Sequence, residues 1–241
     1  MYSALAGGTA ILTREPPDNA RLAERLRREN VRVIEMPCIR IEPLADVTQL
    51  CAAIGALVRD DWLVITSRHG ADALARCAPP RTRIAAVGKI TGDRLRGHGF
   101  VVDFEPDVAS GDPTGERLAR ELPRSGDRVL LARSDRALPD LPTILRERGF
   151  TVDEVVAYRT RIGALAGIDA ARDALRDGGS VGVFFVSPST VDGFLAAIEA
   201  EHLRRARIFV AGRSTLRAVR DRLGLSVDVS IIEEVPDVAH R

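Results

Sequence analysis

The sequence predicts an α/β protein built from two flavodoxin-like, doubly wound domains with parallel sheets. The first observation is an internal repeat, in which segment 10–41 matches segment 129–160 at a constant offset of 119 positions, as from Arg14 to Arg133. The second is that short apolar runs alternate with longer amphipathic segments, a pattern typical of strands and crossover helices. The third is the length of 241 residues, which fits two domains of about 120 residues each.

Ten apolar runs are predicted as strands, five in each copy of the repeat. They lie at 10–13, 31–36, 62–66, 84–87 and 100–104, and at 128–132, 151–158, 181–186, 207–211 and 227–232. Helix patterns lie between them, at 20–29, 71–76, 91–96, 116–122, 141–148, 191–200 and 215–223. Five strands are what a flavodoxin-like sheet needs, so the chain contains enough strands for two sheets.

The segments that follow the second strand of each copy are predicted to connect the domains. Residues 37–44 and 156–162 would pair there as a two-stranded antiparallel ladder. If the chain crosses at this ladder, residues 1–37 and 162–241 form one discontinuous domain, and residues 38–161 form the other.

Composition excludes several classes of protein. With 35 basic and 34 acidic residues, the chain lacks the basic surface of a nucleic-acid-binding protein. No apolar run approaches the length of a membrane span, and the first residues do not form a signal peptide. Cys38, Cys51 and Cys77 form no CxxC pair, so neither a disulfide framework nor a thiolate zinc site is expected. These features predict a cytoplasmic protein that binds no metal.

The sequence lacks the usual motifs of covalent or metal catalysis. It contains no Walker loop, HExxH motif or nucleophile elbow, and its histidines lack metal-ligand spacing. Lys89, the single lysine, is a poor Schiff-base candidate because solvent would keep it protonated. His69 follows a strand end and is a weaker candidate for contact with a ligand. Hydroxyls, backbone amides, arginines and a tyrosine remain, and such a set suits binding and orienting a polyanion.

Most candidate binding residues follow predicted strands, where parallel sheets bind ligands and helix N-termini present free N–H groups. These residues are Arg14, Ser67, Gly88, Thr91, Arg133, Ser187, Ser189, Gly212 and Thr215. Two interpretations stay open. Either these residues hold an anionic ligand, or the hydroxyls only cap their own helices and one of the arginines only braces its loop.

One aligned position differs in chemical type between the two copies. The first copy carries Ile39 where the second carries Tyr158. A reaction on an asymmetric substrate needs an asymmetric element, so Tyr158 is the candidate catalytic residue. The alternative is that its ring only packs within the ladder.

Taken together, these motifs resemble those of the uroporphyrinogen-III synthase family. The resemblance extends over residues 9–235. The motifs that carry it lie at 11–16, 61–67, 86–88 with Thr91, 129–135, 153–160, 185–189, and 211–212 with Thr215. Each motif alone is loose, but their order and spacing together are specific.

The resemblance implies a cofactor-free lyase of haem, sirohaem or corrin biosynthesis. Members of the family cyclise hydroxymethylbilane, a polyanionic linear tetrapyrrole, with inversion of ring D, and release uroporphyrinogen III and water. The resemblance also implies a monomer, an active cleft between two domains joined by the ladder, and transient hand-over of substrate from the upstream deaminase.

The same resemblance suggests roles for particular residues. Tyr158 matches a tyrosine proposed to assist departure of the substrate hydroxyl. Thr91, Ser187 and Thr215 match loop positions that line the cleft in relatives. Ser67 and Ser189 match less specifically.

The sequence departs from the family pattern at two places. Lys89 and Ile90 replace smaller residues that are common before the loop threonine. The family usually ends with a Pro-Thr motif and a final helix, whereas this sequence has Pro236-Asp237 and stops at Arg241, so that helix is expected to be missing.

Two other functions fit parts of the pattern. One is a non-catalytic tetrapyrrole sensor or regulatory module on the same scaffold, against which the presence of Tyr158 and the hydroxyl loops argues. The other is a two-lobed anion-binding protein of the periplasmic type, for which a signal peptide would be expected.

Overall fold

The computed structural model describes residues 5–107, 114–124, 126–224 and 229–231. The chain divides into two compact units. Unit 1 comprises Met1–Arg40 and Arg161–Arg241, and unit 2 comprises Ile41–Thr160. The C-terminal segment that the sequence predicts to lack a helix lies outside the described residues.

Strands and helices alternate along nearly the whole chain. In order, the elements are β1 (Thr9–Leu12), α1 (Pro16–Arg28), β2 (Arg32–Glu35), β3 (Ile39–Pro43), α2 (Thr48–Gly55), β4 (Trp62–Ile65), α3 (Arg68–Leu74), β5 (Arg83–Ala86), α4 (Lys89–Gly97), α5 (Gly115–Glu121), β6 (Arg128–Ser134), α6 (Asp140–Glu147), β7 (Thr151–Ile162), α7 (Ile168–Arg176), β8 (Val181–Phe185), α8 (Pro188–Leu195), a 3-10 helix (Ala200–Arg205), β9 (Arg207–Val210), α9 (Gly212–Leu223) and β10 (Val229–Ile231). Helices α2 and α7 were not predicted.

Unit 1 contains a five-stranded parallel sheet in the order β10-β9-β8-β1-β2. Counted along the chain within the unit, this is the 2-1-3-4-5 order of flavodoxin-like folds. Strands β1 and β2 come from the first sequence copy and the other three from the second. The predicted doubly wound α/β fold is therefore confirmed in a form that mixes the two copies within one sheet.

Unit 2 contains the sheet β3-β7-β6-β4-β5, in which β7, β6, β4 and β5 run parallel. These four strands repeat the order of β2, β1, β8 and β9 in unit 1. Strand β3 lies beside β7 at the edge of the sheet.

The central strands are apolar along their whole length because helices cover both faces of each sheet. All residues of β4 and β8 are buried. Helix α1 shows the matching amphipathic pattern. It begins with prolines, which fit there because the first N–H groups of a helix have no carbonyl partner within it. Its apolar face buries Leu22, Ala23 and Leu26 against the sheet.

The predicted strand at 100–104 is wrong. Only a single bridge forms there, between Ala85 and Phe104. The side chain of Asp103 explains this, because its carboxylate accepts a hydrogen bond from the backbone N–H of Ile84 at 2.8 Å. This N–H lies on the edge of β5 that faces away from β4, so the Asp103 side chain occupies a donor that a regular fifth strand would use.

The expectation that the cysteines form no disulfide is also wrong. Cys51 on α2 and Cys77 just after α3 form a disulfide with their Cα atoms 5.2 Å apart, while Cys38 is free and buried. The bonded cysteines are separated by 26 positions. Packing of the unit brings them together, and a search for CxxC spacing cannot detect such a pair.

Within the described part of the chain, every helix is too short or too polar to cross a lipid bilayer.

Candidate functional site

Serines cap the helices that follow two equivalent strands in the two units. Ser67 follows β4, and its Oγ accepts a hydrogen bond from the N–H of Gly70 at 3.1 Å. Ser187 follows β8, and its Oγ accepts from the N–H of Thr190 at 3.3 Å. Their backbone angles are nearly identical, with φ −156° and ψ 157° for Ser67 and φ −156° and ψ 159° for Ser187. Both hydroxyls therefore cap the helices that follow them.

The next α-helix in each unit, α4 after α3 and α9 after α8, begins without a side-chain cap. Gly88 precedes α4 and Ala211 precedes α9, and neither residue caps its helix through a side chain. Gly212, the first residue of α9, has φ +80°, a left-handed conformation that favours glycine. These two helix ends are therefore the better candidates for binding an anion through their N–H groups.

The two predicted loop threonines lie inside these helices and are buried. Thr91 is 4 % exposed, and Thr215 is fully buried with its Oγ1 donating to the carbonyl of Ala211 at 3.0 Å. The Thr215 hydroxyl thus supports the first turn of α9. Ser189, in the first turn of α8, is half-buried.

Tyr158 lies on β7 at the carboxyl edge of the second sheet and is only 9 % exposed. The pairing of β7 with β6 shifts register just before it, since Arg133 pairs with Val156 and Ser134 pairs with Tyr158. Ala157 is the extra residue of this β-bulge. Successive residues of a regular strand face opposite sides, but Ala157 and Tyr158 belong to the same core cluster. The bulge therefore turns the tyrosine ring toward the side of the sheet where α3 begins.

The phenol of Tyr158 is held by residues around the start of α3. Ser67 Oγ donates a hydrogen bond to Tyr158 Oη at 3.0 Å, and the ring of His69 lies 5.6 Å from the tyrosine ring between centroids. Burial raises the pKa of Tyr158 above its ordinary value, while the Ser67 hydrogen bond and the charge of Arg68 lower it. The phenol therefore carries its proton at neutral pH.

Asp135 is a site residue that the sequence did not single out. Its carboxylate accepts a hydrogen bond from the N–H of Thr160 at 2.9 Å, and its charge also raises the pKa of Tyr158. Its backbone N–H donates to the carbonyl of Tyr158 at 3.3 Å. The available signal was its place directly after β6, at the same edge of the sheet.

The two equivalent arginines differ in their surroundings. Arg133 is 7 % exposed, and its guanidinium donates to Glu154 and to the carbonyl of Leu138. It therefore braces the loop after β6. Arg14 lies 3.7 Å from Asp18, and its backbone carbonyl accepts a hydrogen bond from buried Asn19.

Unit 2 thus brings together Ser67, His69, Asp135 and Tyr158. In unit 1, Ser187 caps α8 and Thr215 supports α9 separately. Among the described residues, one cluster could hold a metal ion, formed by Glu199, at the N-cap of the 3-10 helix, and by Glu201 and His202 within it. None of the predicted site residues belongs to that cluster.

These features define a class of protein: two doubly wound units, each with helix N-termini and hydroxyls at the carboxyl edge of a parallel sheet, where this fold binds ligands. The family model described as uroporphyrinogen-III synthase HemD matches residues 20–240. The chain belongs to the uroporphyrinogen-III synthase family.

Individual relatives agree with this assignment. The chain is 26% identical to the uroporphyrinogen-III synthase of Chlorobaculum parvum over 92% of both chains. It is 25% identical to the porphyrin biosynthesis protein HemD of Ruminiclostridium josui, covering 91% of this chain but only 45% of that longer protein. Among solved structures, a mutant uroporphyrinogen III synthase from Thermus thermophilus matches with a TM-score of 0.66 at 21% identity, over 95% of this chain and 93% of that one. This structural match supports the two-domain α/β fold.

Proposed function

We propose that the chain acts as a uroporphyrinogen-III synthase, which cyclises hydroxymethylbilane with inversion of ring D and releases water. The observation that carries the proposal is the buried phenol of Tyr158 at the carboxyl edge of a parallel sheet, with its oxygen accepting a hydrogen bond from Ser67. Family membership supports the reaction class.

In this proposal, Tyr158 acts as the general acid. Its phenol donates a proton to the hydroxyl that leaves the ring A end of the bilane, so that water departs and an azafulvene cation remains. Ring D attacks this cation through its substituted carbon to form a spiro intermediate. The bond from that carbon to the bridging methylene then breaks, and the unsubstituted carbon of ring D closes on the released methylene. Loss of a proton from that carbon completes the macrocycle and restores the phenol. Burial keeps the phenol neutral and therefore able to donate. A positioned general acid typically contributes about 100-fold to 10,000-fold in rate.

Orientation of the substrate is the second requirement, because closure without inversion gives the symmetric isomer I. We propose that substrate carboxylates bind the N-terminal amides of α4 after Gly88, in the same unit as Tyr158. The N-terminal amides of α9, at Gly212 in unit 1, are proposed as a second anion-binding position, and both helices lack side-chain caps. Helix N-termini favour negative charge through their free N–H groups and dipoles. A substrate whose carboxylates are fixed in this way is oriented for closure at the correct carbon of ring D.

The chain acts as a monomer in the cytoplasm, without cofactor, metal, nucleic acid or membrane, and receives its polyanionic substrate transiently from the upstream deaminase.

In a reducing cytoplasm, Cys51 and Cys77 would be present as thiols, since disulfides are uncommon there. Alkylation of thiols in intact cells before lysis tests this, and a fully bonded pair would contradict a cytoplasmic location.

The decisive experiment couples the purified chain to a bilane-producing deaminase. The porphyrins are oxidised and their isomers are separated, with the deaminase alone as control. We expect isomer III to dominate when the chain is present. Isomer I at the level of the control would refute the proposal. If the bilane were still bound without turnover, as measured by calorimetry, the chain would instead be a tetrapyrrole-binding module.

A further inference from the structure

The position of the Ser67 hydroxyl is set by the helix that it caps. Its oxygen accepts a hydrogen bond from the N–H of Gly70 in the first turn of α3. Its backbone has the extended geometry of an N-cap residue. The location of this oxygen therefore depends on α3 and not on the tyrosine beside it.

The hydroxyl hydrogen of Ser67 points to Tyr158. A serine hydroxyl has one hydrogen to donate, and Ser67 donates it to Tyr158 Oη at 3.0 Å. The phenol likewise has one hydrogen, which cannot point back along the same contact. The phenolic hydrogen of Tyr158 is thus left for a different acceptor.

A hydrogen bond donated to the phenol oxygen also stabilises the negative charge that appears when the phenol gives up its proton. The β-bulge at Ala157 supports the arrangement, because it turns Tyr158 to the side of the sheet on which α3 lies. The contact therefore requires both the cap of α3 and the extra residue in β7.

We propose that Ser67 is a positioning residue for Tyr158, and that it directs the phenolic proton toward the leaving hydroxyl of the substrate instead of binding the substrate itself. This rests on the proposed function and extends it by assigning Ser67 a role different from the substrate-binding role that the sequence predicted.

Ser187, at the equivalent position in unit 1, caps a helix without a tyrosine contact being involved in the cap. Ser187 has the same backbone geometry and caps α8 in the same way, and its partner Thr190 completes a capping box within that helix. Capping thus accounts for a serine at both positions, and the hydrogen bond to Tyr158 is the additional feature of Ser67.

The test compares Ser67→Ala with Ser67→Thr, which keeps a hydroxyl. We expect Ser67→Ala to lower kcat about tenfold with little change in KM, and Ser67→Thr to recover most of this loss. In a Tyr158→Phe background, Ser67→Ala should have no further effect on kcat, because the contact through which it acts is already lost. Ser67→Ala also removes the cap of α3 and should therefore lower stability. The control is Thr114→Ala, which removes the cap of α5 in the same unit: it should lower stability about as much as Ser67→Ala does and leave kcat unchanged.

A second measurement does not depend on turnover. The chain contains Tyr2 and Tyr158, so subtracting the alkaline absorbance titration of Tyr158→Phe isolates the ionisation of Tyr158. Ser67→Ala should raise the pKa of Tyr158, because it removes the hydrogen bond that lowers it. If the chain made no isomer III, the proposed function would be refuted. The titration would still test the contact between Ser67 and Tyr158, because it does not depend on turnover.

Two results would overturn the inference. A rise in KM at unchanged kcat in Ser67→Ala would show that Ser67 holds the substrate. An equal loss of kcat in the Tyr158→Phe background, or an unchanged Tyr158 titration, would show that Ser67 acts independently of the tyrosine.

Discussion

Arg133 at the end of β6 and Glu154 on β7 form an ion pair in which the arginine is almost fully buried. The same guanidinium donates to the carbonyl of Leu138 at 2.8 Å. One side chain thus fixes the loop after β6 to the neighbouring strand. This loop carries Asp135, so the ion pair supports the surroundings of Tyr158.

Arg133→Lys is therefore expected to destabilise the fold by about 1–3 kcal/mol, because an ammonium cannot reproduce the forked contacts of the guanidinium. Chemical denaturation measures this loss. The matched control is Arg128→Lys on the same strand, where a more exposed pair with Asp153 should be worth less than about 1 kcal/mol. A raised KM for the bilane at unchanged stability would instead assign Arg133 to substrate binding.

Tyr158→Phe tests the proposed acid directly. The substitution keeps the ring in its core cluster and removes only the hydroxyl, so stability should change little. We expect kcat to fall about 100-fold or more while KM changes little. The isomer ratio should shift toward isomer I, because slow enzymatic closure competes with spontaneous closure. An unchanged rate of isomer III formation would exclude the acid role.

The sequence predicted the sheets and helices well because alternating apolar runs and amphipathic segments directly reflect burial on both faces of a parallel sheet. It also identified Tyr158 as the chemical asymmetry between the copies. The sequence could not predict which side of the sheet the Tyr158 ring faces. The bulge at Ala157 depends on the pairing of β7 with β6, and the alternation of apolar and polar residues along β7 does not reveal it.

The asymmetry between the copies is also one of backbone. Strand β7 is continuous from Thr151 to Ile162, whereas the aligned segment of the first copy breaks into β2 and β3. Pro37 lies in the break and aligns with Val156, and proline has no N–H for a sheet ladder. The aligned residue Ile39 therefore lies on β3 and not on β2. Alignment alone gives the residue types but not this difference in strand continuity.

The three cysteines should be distinguishable by their reactivity. Burial raises the pKa of Cys38 to about 12, so its thiol is protonated and enclosed in the native state. A thiol reagent should detect no cysteine in the oxidised native protein, only Cys51 and Cys77 after reduction, and all three after reduction and denaturation. Fast reaction of Cys38 in the native protein would contradict its burial.

Loss of the disulfide should also change stability. It closes a segment with a sequence separation of 26 between α2 and the end of α3. The loop-entropy relation gives a loss of about 3.5 kcal/mol in unfolding free energy on reduction. The Cys51→Ser, Cys77→Ser double variant should match the reduced protein in denaturant titrations and be insensitive to reductant. Equal stability of the oxidised and reduced protein would show that the bond adds little constraint.

Gly193 on α8 lies against the backbone of Cys38, and a Cβ at this position would lie 1.9 Å from the Cys38 carbonyl oxygen. That carbonyl also accepts a hydrogen bond from the N–H of Gly163, so it cannot move without breaking the contact. Gly193→Ala should therefore lower the free energy of unfolding by about 3 kcal/mol or more.

Gly55→Ala at the end of α2 is the control, since nothing lies within 4 Å of its added Cβ. The control should be neutral or stabilising by up to about 1 kcal/mol, through higher helix propensity. Thermal and denaturant unfolding of the two variants measure the difference, and equal stability would show that α8 can move away from Cys38 at little cost.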